Sequence, residues 1–300
     1  MRDWVFSINT SLVIASLSPA GQPRLPCELG CKSGQAGEEI LTHDFKDETW
    51  SRFSVASRYY KNRVPLSDNV ISCLVRYTEL HAENAVVADI GAGTGLLAST
   101  LANRGFRGYA VEPNASMRAE GERIHGRDFS FQWVNGTAEC TGLKHEAVDW
   151  ICMANAFHWV DASEAVGEFQ RVLSPGGYAS VIWVLPDFTN DPLRTCIEAK
   201  IEEMEPGLDR AYRRALEVME NVEASLQSSG SLHDCIYIAS DHTVHMEKLR
   251  YINVFRSVQD IPNQIGPSRW ARVLAAIEDV ISLADEIAPL YRTYSWTVRK

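Results

Sequence analysis

The seven residues Asp89-Ile90-Gly91-Ala92-Gly93-Thr94-Gly95 constrain this chain more than any other stretch. They follow Ala85-Val86-Val87-Ala88, a short apolar run of the kind buried in parallel strands. Residues 96–103 then take up helical spacing and end near Gly105. A strand, a glycine turn and a helix in direct succession form the first half of a βαβ unit. Glycines accept positive φ and leave no side chain between the backbone and a ligand. The start of the helix adds N–H groups that have no partner within it. A turn of this kind holds a ligand against the main chain.

The alternation continues. Residues 107–112 read as a second strand, and Asn114 caps a helix through residue 123. Residues 129–134 and 147–153 read as further strands, 162–173 as a helix, and Ser174-Pro175-Gly176-Gly177 turns the chain into a strand over 178–185. Strands and helices alternating at this spacing require right-handed crossovers, hence an α/β, doubly wound parallel sheet that binds ligands at the carboxyl ends of its strands. Beyond Pro186 the alternation stops. Helices are expected over 196–204, 208–226, 247–257 and 269–288, with strands over 234–245 and 290–298.

The glycine spacing narrows the ligand. A dinucleotide turn wants glycine at its first, third and sixth positions. Here those positions hold Gly91, Gly93 and Leu96, and the carboxylate of Asp89 stands where a pyrophosphate would come. A cofactor without phosphate and with a positive sulfonium suits the turn better. Glu112 closes the next strand 23 positions after Asp89 (112 − 89), where an acidic residue holds the two ribose hydroxyls of an adenosine group.

In order along the chain, Val87-Ala88-Asp89-Ile90-Gly91-Ala92-Gly93-Thr94-Gly95 is followed by Ala110-Val111-Glu112-Pro113-Asn114 with Met117, then Gly136-Thr137-Ala138-Glu139. Asn155-Ala156-Phe157-His158-Trp159, Arg171-Val172-Leu173-Ser174-Pro175-Gly176-Gly177 and Val181-Ile182-Trp183 complete the set. This ordered set resembles class I S-adenosylmethionine-dependent methyltransferases, in the small-molecule branch of ubiquinone/menaquinone-type and trans-aconitate-type enzymes. The resemblance runs over about residues 55–185.

It implies a Rossmann-like seven-stranded sheet with a helical lid and N-terminal helices. It implies S-adenosyl-L-methionine as cofactor, S-adenosyl-L-homocysteine as product, and a small, partly apolar acceptor methylated on oxygen, nitrogen or carbon, such as a biosynthetic or secondary-metabolite intermediate. By position, Gly91, Gly93 and Gly95 line the methionine part and Glu112 the ribose, with Asp89, Ala92, Pro113 and Met117 also binding the cofactor. Thr137, Ala138 and Glu139 border the adenine, with Thr137 and Glu139 as alternatives for its amino group, and Asn155 and Ala156 lie beneath the methionine. The chain then divides into an extension (1–43), N-terminal helices over the active site (44–82) and the cofactor-binding core (83–185). A lid region with one late core strand (186–267) and a closing helix and strand (268–300) follow.

On the acceptor side, His158 is read as a general base or as a packing residue bonded to a backbone carbonyl. Tyr60, or its neighbour Tyr59, either closes over the cofactor or packs in the entry helix. Trp159 and Trp183 are expected to wall the acceptor pocket, and the lid aromatics Tyr212, Tyr237, Tyr251 and Phe255 suggest its apolar character. Two other readings stand beside this one: an NAD(P)-dependent oxidoreductase, and a catalytically silent scaffold that binds the sulfur cofactor.

The formal net charge of -10 argues against nucleic acid or an anionic membrane, since phosphate binding needs concentrated Lys and Arg. No apolar run reaches the roughly 18 residues that span a bilayer. The 7 cysteines are scattered, and Cys27 and Cys31 have no second pair at zinc spacing, so no metal is expected and reduced thiols suit a cytoplasmic protein. Residues 4–17 have some flavour of a signal peptide, but Asp3 cancels Arg2 and Asn9-Thr10-Ser11 interrupts the apolar run. Residues 1–43 carry Pro19, Pro23 and Pro26 and lack periodicity. They read either as a segment that docks on a second subunit of a homo-oligomer or as a loose tail.

Overall fold

In the computed structural model, which describes residues 12–16 and 57–300, the alternation in the sequence becomes one mixed sheet. Its elements are β1 (Leu12–Ser16), α1 (Ser57–Tyr60), α2 (Asp68–Thr78), β2 (Val86–Ile90), α3 (Leu96–Ala102), β3 (Arg107–Val111), α4 (Ala115–His125) and β4 (Phe131–Val134). There follow β5 (Val148–Ala154), a single 3-10 turn (Phe157–Trp159), α5 (Ala162–Val172) and β6 (Leu173–Pro186). The lid and closing elements are α6 (Pro192–Met204), α7 (Ala211–Met219), α8 (Val222–Gln227), β7 (His233–Thr243), α9 (Lys248–Arg256), α10 (Asp260–Ser282) and β8 (Leu290–Arg299).

The strand order is β1-β7-β8-β6-β5-β2-β3-β4. Strands β2 to β6 pair in parallel, and β8 inserts antiparallel between β6 and β7. The expected seven-stranded sheet is corrected to eight strands among the described residues. The added strand is Leu12–Ser16, which lies antiparallel on β7 in the register Leu12↔Ser240 to Ser16↔Ile236. Its sequence, LVIAS, suits an edge position, and the pairing satisfies backbone groups that β7 would otherwise leave open. The rest of the extension, including Cys27 and Cys31, lies outside the described residues.

Both faces of the parallel strands are covered, which explains their unbroken apolar runs: Val87, Ala88, Asp89 and Ile90 are all buried. On one face Phe157, Val166, Phe169 and Trp183 pack with Met219 and Leu226. On the other, Val70, Ile71 and Leu74 of α2 meet Leu97 and Leu101 of α3. A third cluster joins α6, α9 and α10 through Ile197, Ile201, Phe255, Val273 and Ile277. The lid is therefore made of two insertions, one before β7 and one after it, that share a core. Its last helix bends where Gly266 takes a φ of 77° beside Pro267.

Side-chain caps fix the helices that border the site. Asn114 accepts from the Met117 amide at 3.0 Å, Asp161 from those of Ser163 and Glu164, and Asp191 from that of Arg194.

Candidate active site

The turn after β2 is anchored by its neighbour strand. The carbonyl of Val111 accepts from the amides of both Gly91 (2.8 Å) and Ala92 (3.0 Å). Gly91, Gly93 and Gly95 all have positive φ, at 70°, 59° and 82°. A Cβ on Gly91 would come within 2.7 Å of the Ala156 Cβ, so this position also needs the absence of a side chain. At Gly93 the added Cβ would meet only the Tyr60 ring, at 3.9 Å, on the side of the cavity. Gly95 opens α3 and faces His125 and Trp133 instead of the cavity.

Two buried carboxylates tie the turn together. Asp89 is 1% exposed and accepts from the Ala98 amide at 2.9 Å, inside the first turn of α3. Burial raises its pKa to about 7; the Ala98 bond opposes that rise and the nearby Glu112 adds to it. Glu112 accepts from the Gly93 amide (2.8 Å) with one oxygen and from the Asn114 amide (2.9 Å) with the other. Burial pushes its pKa up, against these two bonds and the charge of Arg118. Arg118 is held by the Glu112 carbonyl and Asn135, so the ends of β3 and β4 are stitched beside the carboxylate.

A cavity of about 330 Å³ opens above these strand ends. Asp89, Gly91, Ala92, Gly93, Glu112, Pro113 and Met117 line it, as do Thr137, Ala138, Asn155, Ala156, Tyr60, His158, Trp159 and Trp183. Of the candidate residues and aromatics singled out in the sequence, Gly95, Glu139, Tyr59, Tyr237 and Tyr251 do not. Glu139 accepts from the Asp161 amide at 3.0 Å, one step behind the wall. Asn155 takes a left-handed φ of 52°, and its side-chain oxygen accepts from the Val184 amide at 2.9 Å, locking β5 to β6.

His158 lies in the 3-10 turn, and its Nδ1 accepts from Trp183 Nε1 at 3.1 Å. The ring proton is thereby assigned to Nε2. Burial, aided by the charge of Arg214, lowers the His158 pKa to about 3. Trp183 is fixed in turn by edge-on packing against Phe157 and Trp296. Tyr60 is half-buried and faces Gly93, with the Arg63 guanidinium 5.0 Å above its ring, and desolvation raises the pKa of its phenol.

The lid supplies Tyr212, an aromatic expected from the sequence, and two arginines that the sequence did not announce, Arg194 and Arg210; Arg63 and Tyr291 line the cavity from outside the lid helices. Glu198 is shared by Arg194 (2.7 Å) and Arg210 (2.5 Å), and Asp260 also accepts from Arg210 (3.3 Å). Arg194 lies before the helix expected from residue 196, and no local pattern reveals that its i,i+4 pair with Glu198 turns inward.

The donor set can be tested against the expected ligand. Around the turn the described groups are backbone amides and two carboxylates, while the lining arginines come from residues 63, 194 and 210. A phosphate would meet carboxylates here; a sulfonium with a ribose diol meets the partners it needs. Among the described residues no group of three or more His, Cys, Asp or Glu is placed to hold a metal ion.

Part of the chain is similar to known proteins. Residues 88–181 match a family model described as a methyltransferase domain. An uncharacterized methyltransferase of Mycobacterium tuberculosis is 33% identical over 143 residues, covering 48% of this chain and 56% of that protein. The chain thus spans a little over half the length of this relative. A second uncharacterized methyltransferase, from Geobacillus kaustophilus, is 28% identical, covering 46% of this chain and 66% of that one. Among solved structures, a Haemonchus contortus phosphoethanolamine N-methyltransferase bound to S-adenosylhomocysteine superposes with a TM-score of 0.48 at 14% identity, covering 84% of this chain and 59% of that one.

Proposed function

Because residues 88–181 match a methyltransferase domain, we propose that this chain is a class I S-adenosylmethionine-dependent methyltransferase that methylates a small, partly apolar metabolite bound beneath its lid. The observation that carries the reading is the single cavity. It joins the glycine turn and Glu112 to an aromatic wall of Trp159, Trp183, Tyr212 and Phe255. When bound, the cofactor supplies a methyl group on a positive sulfur, open to in-line displacement.

In this reading Glu112 accepts from the ribose hydroxyls, and Gly91, Ala92 and Gly93 let the methionine part approach the backbone. Pro113, Met117, Thr137 and Ala138 enclose the adenosine, and Asn155 and Ala156 support the methionine from below. Gly95 and Glu139 act one layer back: the first starts α3, the second holds the 155–161 loop through the Asp161 amide. The lid and Tyr60 keep water from the reacting atoms. We place the reaction in the cytoplasm, where the cofactor is made.

We assign His158 as a donor to the acceptor, in place of the base considered from the sequence. A ring with Nδ1 bonded to Trp183 and a pKa near 3 keeps its Nε2–H to offer and takes up no proton at neutral pH. Changing His158 to Ala should lower kcat about tenfold, with cofactor affinity within about twofold, the loss of one hydrogen bond made in the transition state. The ratio of wild-type to variant kcat should stay flat from pH 5 to 9, because a group titrating near 3 changes nothing in that window. A ratio that falls below pH 6.5 would restore the base.

Asp89 yields a second pH effect. With a pKa of about 7 it carries a proton for much of the time at pH 6, whereas a cationic cofactor favours its ionised form. Binding therefore releases a proton, and affinity for S-adenosylmethionine should rise as pH goes from 6 to 8. Calorimetry in buffers of different ionisation enthalpy reads this directly. A pH-independent affinity with no proton release would place Asp89 away from the positive charge.

The function itself is tested by incubating the protein with methyl-labelled cofactor and a metabolite extract of its source cell. Label should enter a small molecule. A persistent lack of incorporation, with the cofactor bound, would leave a binding scaffold.

A further inference from the structure

We propose that His125, outside the cavity, is a positioning residue for the cofactor: its bond to the Thr94 carbonyl holds the glycine turn in the shape that receives the methionine part. The inference rests on the methyltransferase reading above and adds a residue to its binding machinery. His125 is the last residue of α4, and its Nε2 stands 2.9 Å from the Thr94 oxygen. A carbonyl only accepts, so this ring nitrogen carries the proton and donates. Thr94 is 5% exposed and lines the cavity, and His125 does not line it. The bond therefore grips the turn from behind. It also meets a need that Asp89 creates. Helix α3 opens with the Ser99 amide donating to the Gly95 carbonyl at 2.8 Å. One step earlier the ladder is not made: the Ala98 amide, four residues after Thr94, donates to Asp89 at 2.9 Å. That leaves the Thr94 carbonyl in need of another donor, which His125 supplies. Asp89 and His125 take the two halves of one helical bond, the first from β2 and the second from α4.

The ring that donates is itself braced. It stacks on Phe129, with centroids 4.4 Å apart and planes at 15°, and Phe129 leans on Phe131 and Trp133. Trp133 in turn lies over Gly121 of α4, where a Cβ would come within 2.2 Å of the indole. Gly95 completes the fit. Its φ is 82°, and a Cβ there would also meet His125 Nε2 at 3.0 Å and Trp133 Cη2 at 3.1 Å. The third glycine of the turn thus makes room for His125 and not for the ligand. A ring held in this way loses little freedom when its bond forms, so the donor is ready in place. In the reading above the methionine part lies on the turn, and the adenosine lies against Glu112, Met117 and Ala138. Loss of the bond at Thr94 should therefore be felt by the methionine part alone.

The test compares two ligands of the full chain by calorimetry: S-adenosylhomocysteine, and 5′-methylthioadenosine, which keeps the adenosine and lacks the amino-acid part. His125→Phe keeps a ring on Phe129 and removes the donor. It should weaken S-adenosylhomocysteine about fivefold to tenfold and leave 5′-methylthioadenosine within about twofold. His125→Gln, which brings back an N–H donor, should regain most of the loss. A purely structural role would weaken both ligands together, and that result, or no loss for either, would overturn the proposal. So would a His125→Gln variant no better than His125→Phe. Nitrogen NMR of the unmodified chain should show the His125 ring proton on Nε2, and a proton on Nδ1 alone would overturn the proposal. If His125→Phe fails to fold, the place of that proton decides. Absence of S-adenosylhomocysteine binding by the unmodified chain would sink the methyltransferase reading as well, whereas intact binding that His125→Phe leaves unchanged removes His125 alone.

Discussion

Replacing Glu112 by alanine is expected to weaken S-adenosylhomocysteine binding about 100-fold, since bonds from two ribose hydroxyls to a buried carboxylate contribute on the order of 3 kcal/mol together. Two roles are lost at once. The carboxylate would no longer face the ribose, and the amides of Gly93 and Asn114 would lose the oxygens that hold the turn against β3. Glu112→Gln separates them. It keeps the shape and one good acceptor but no charge, so it should lose less affinity than alanine. Calorimetric titration of both variants checks the assignment, and an unchanged affinity in the alanine variant would mean that the ribose lies elsewhere.

Gly93→Val should abolish measurable binding. The backbone there has a φ of 59°, where a β-branched residue is strained by about 1–2 kcal/mol. Its Cβ would also point across the cavity toward Tyr60. The strain alone is separable from the blockage. Gly126 has a φ of 72° and open space around an added Cβ, away from the cavity. Gly126→Val, at a φ of 72° and ψ of −168° that only glycine adopts readily, should therefore lower thermal stability and leave cofactor affinity untouched. Equal losses of binding in the two variants would show that destabilisation, not obstruction, is responsible.

What could be read from the sequence was whatever depends on neighbours along the chain. The turn from Asp89 to Gly95, the acid at Glu112 and the alternation of strands and helices are set by local spacing, and the turn and Glu112 meet in one cavity. Residues that act through distant partners were harder. His158 reads from the sequence as a base or a packing residue because only its type is visible there; the bond from Trp183 and the burial that favour the proposed donor role come from residues 25 positions apart. Gly95 and Glu139 sit in the right motifs but one layer behind the wall. Leu12–Ser16 has no periodicity around it, and its pairing with β7 joins positions more than 220 residues apart. The part of the cavity wall lined by Arg63, Arg194 and Tyr291 draws on the entry segment, a lid helix and the last strand. No spacing rule connects these three.

The central claim is that this cavity holds S-adenosylmethionine on the Asp89–Gly95 turn. The most direct measurement is a pair of calorimetric titrations of the unmodified chain, one with S-adenosylhomocysteine and one with NADH. The geometry predicts saturable 1:1 binding of the first and none of the second. Saturable NADH binding with no response to S-adenosylhomocysteine would contradict it.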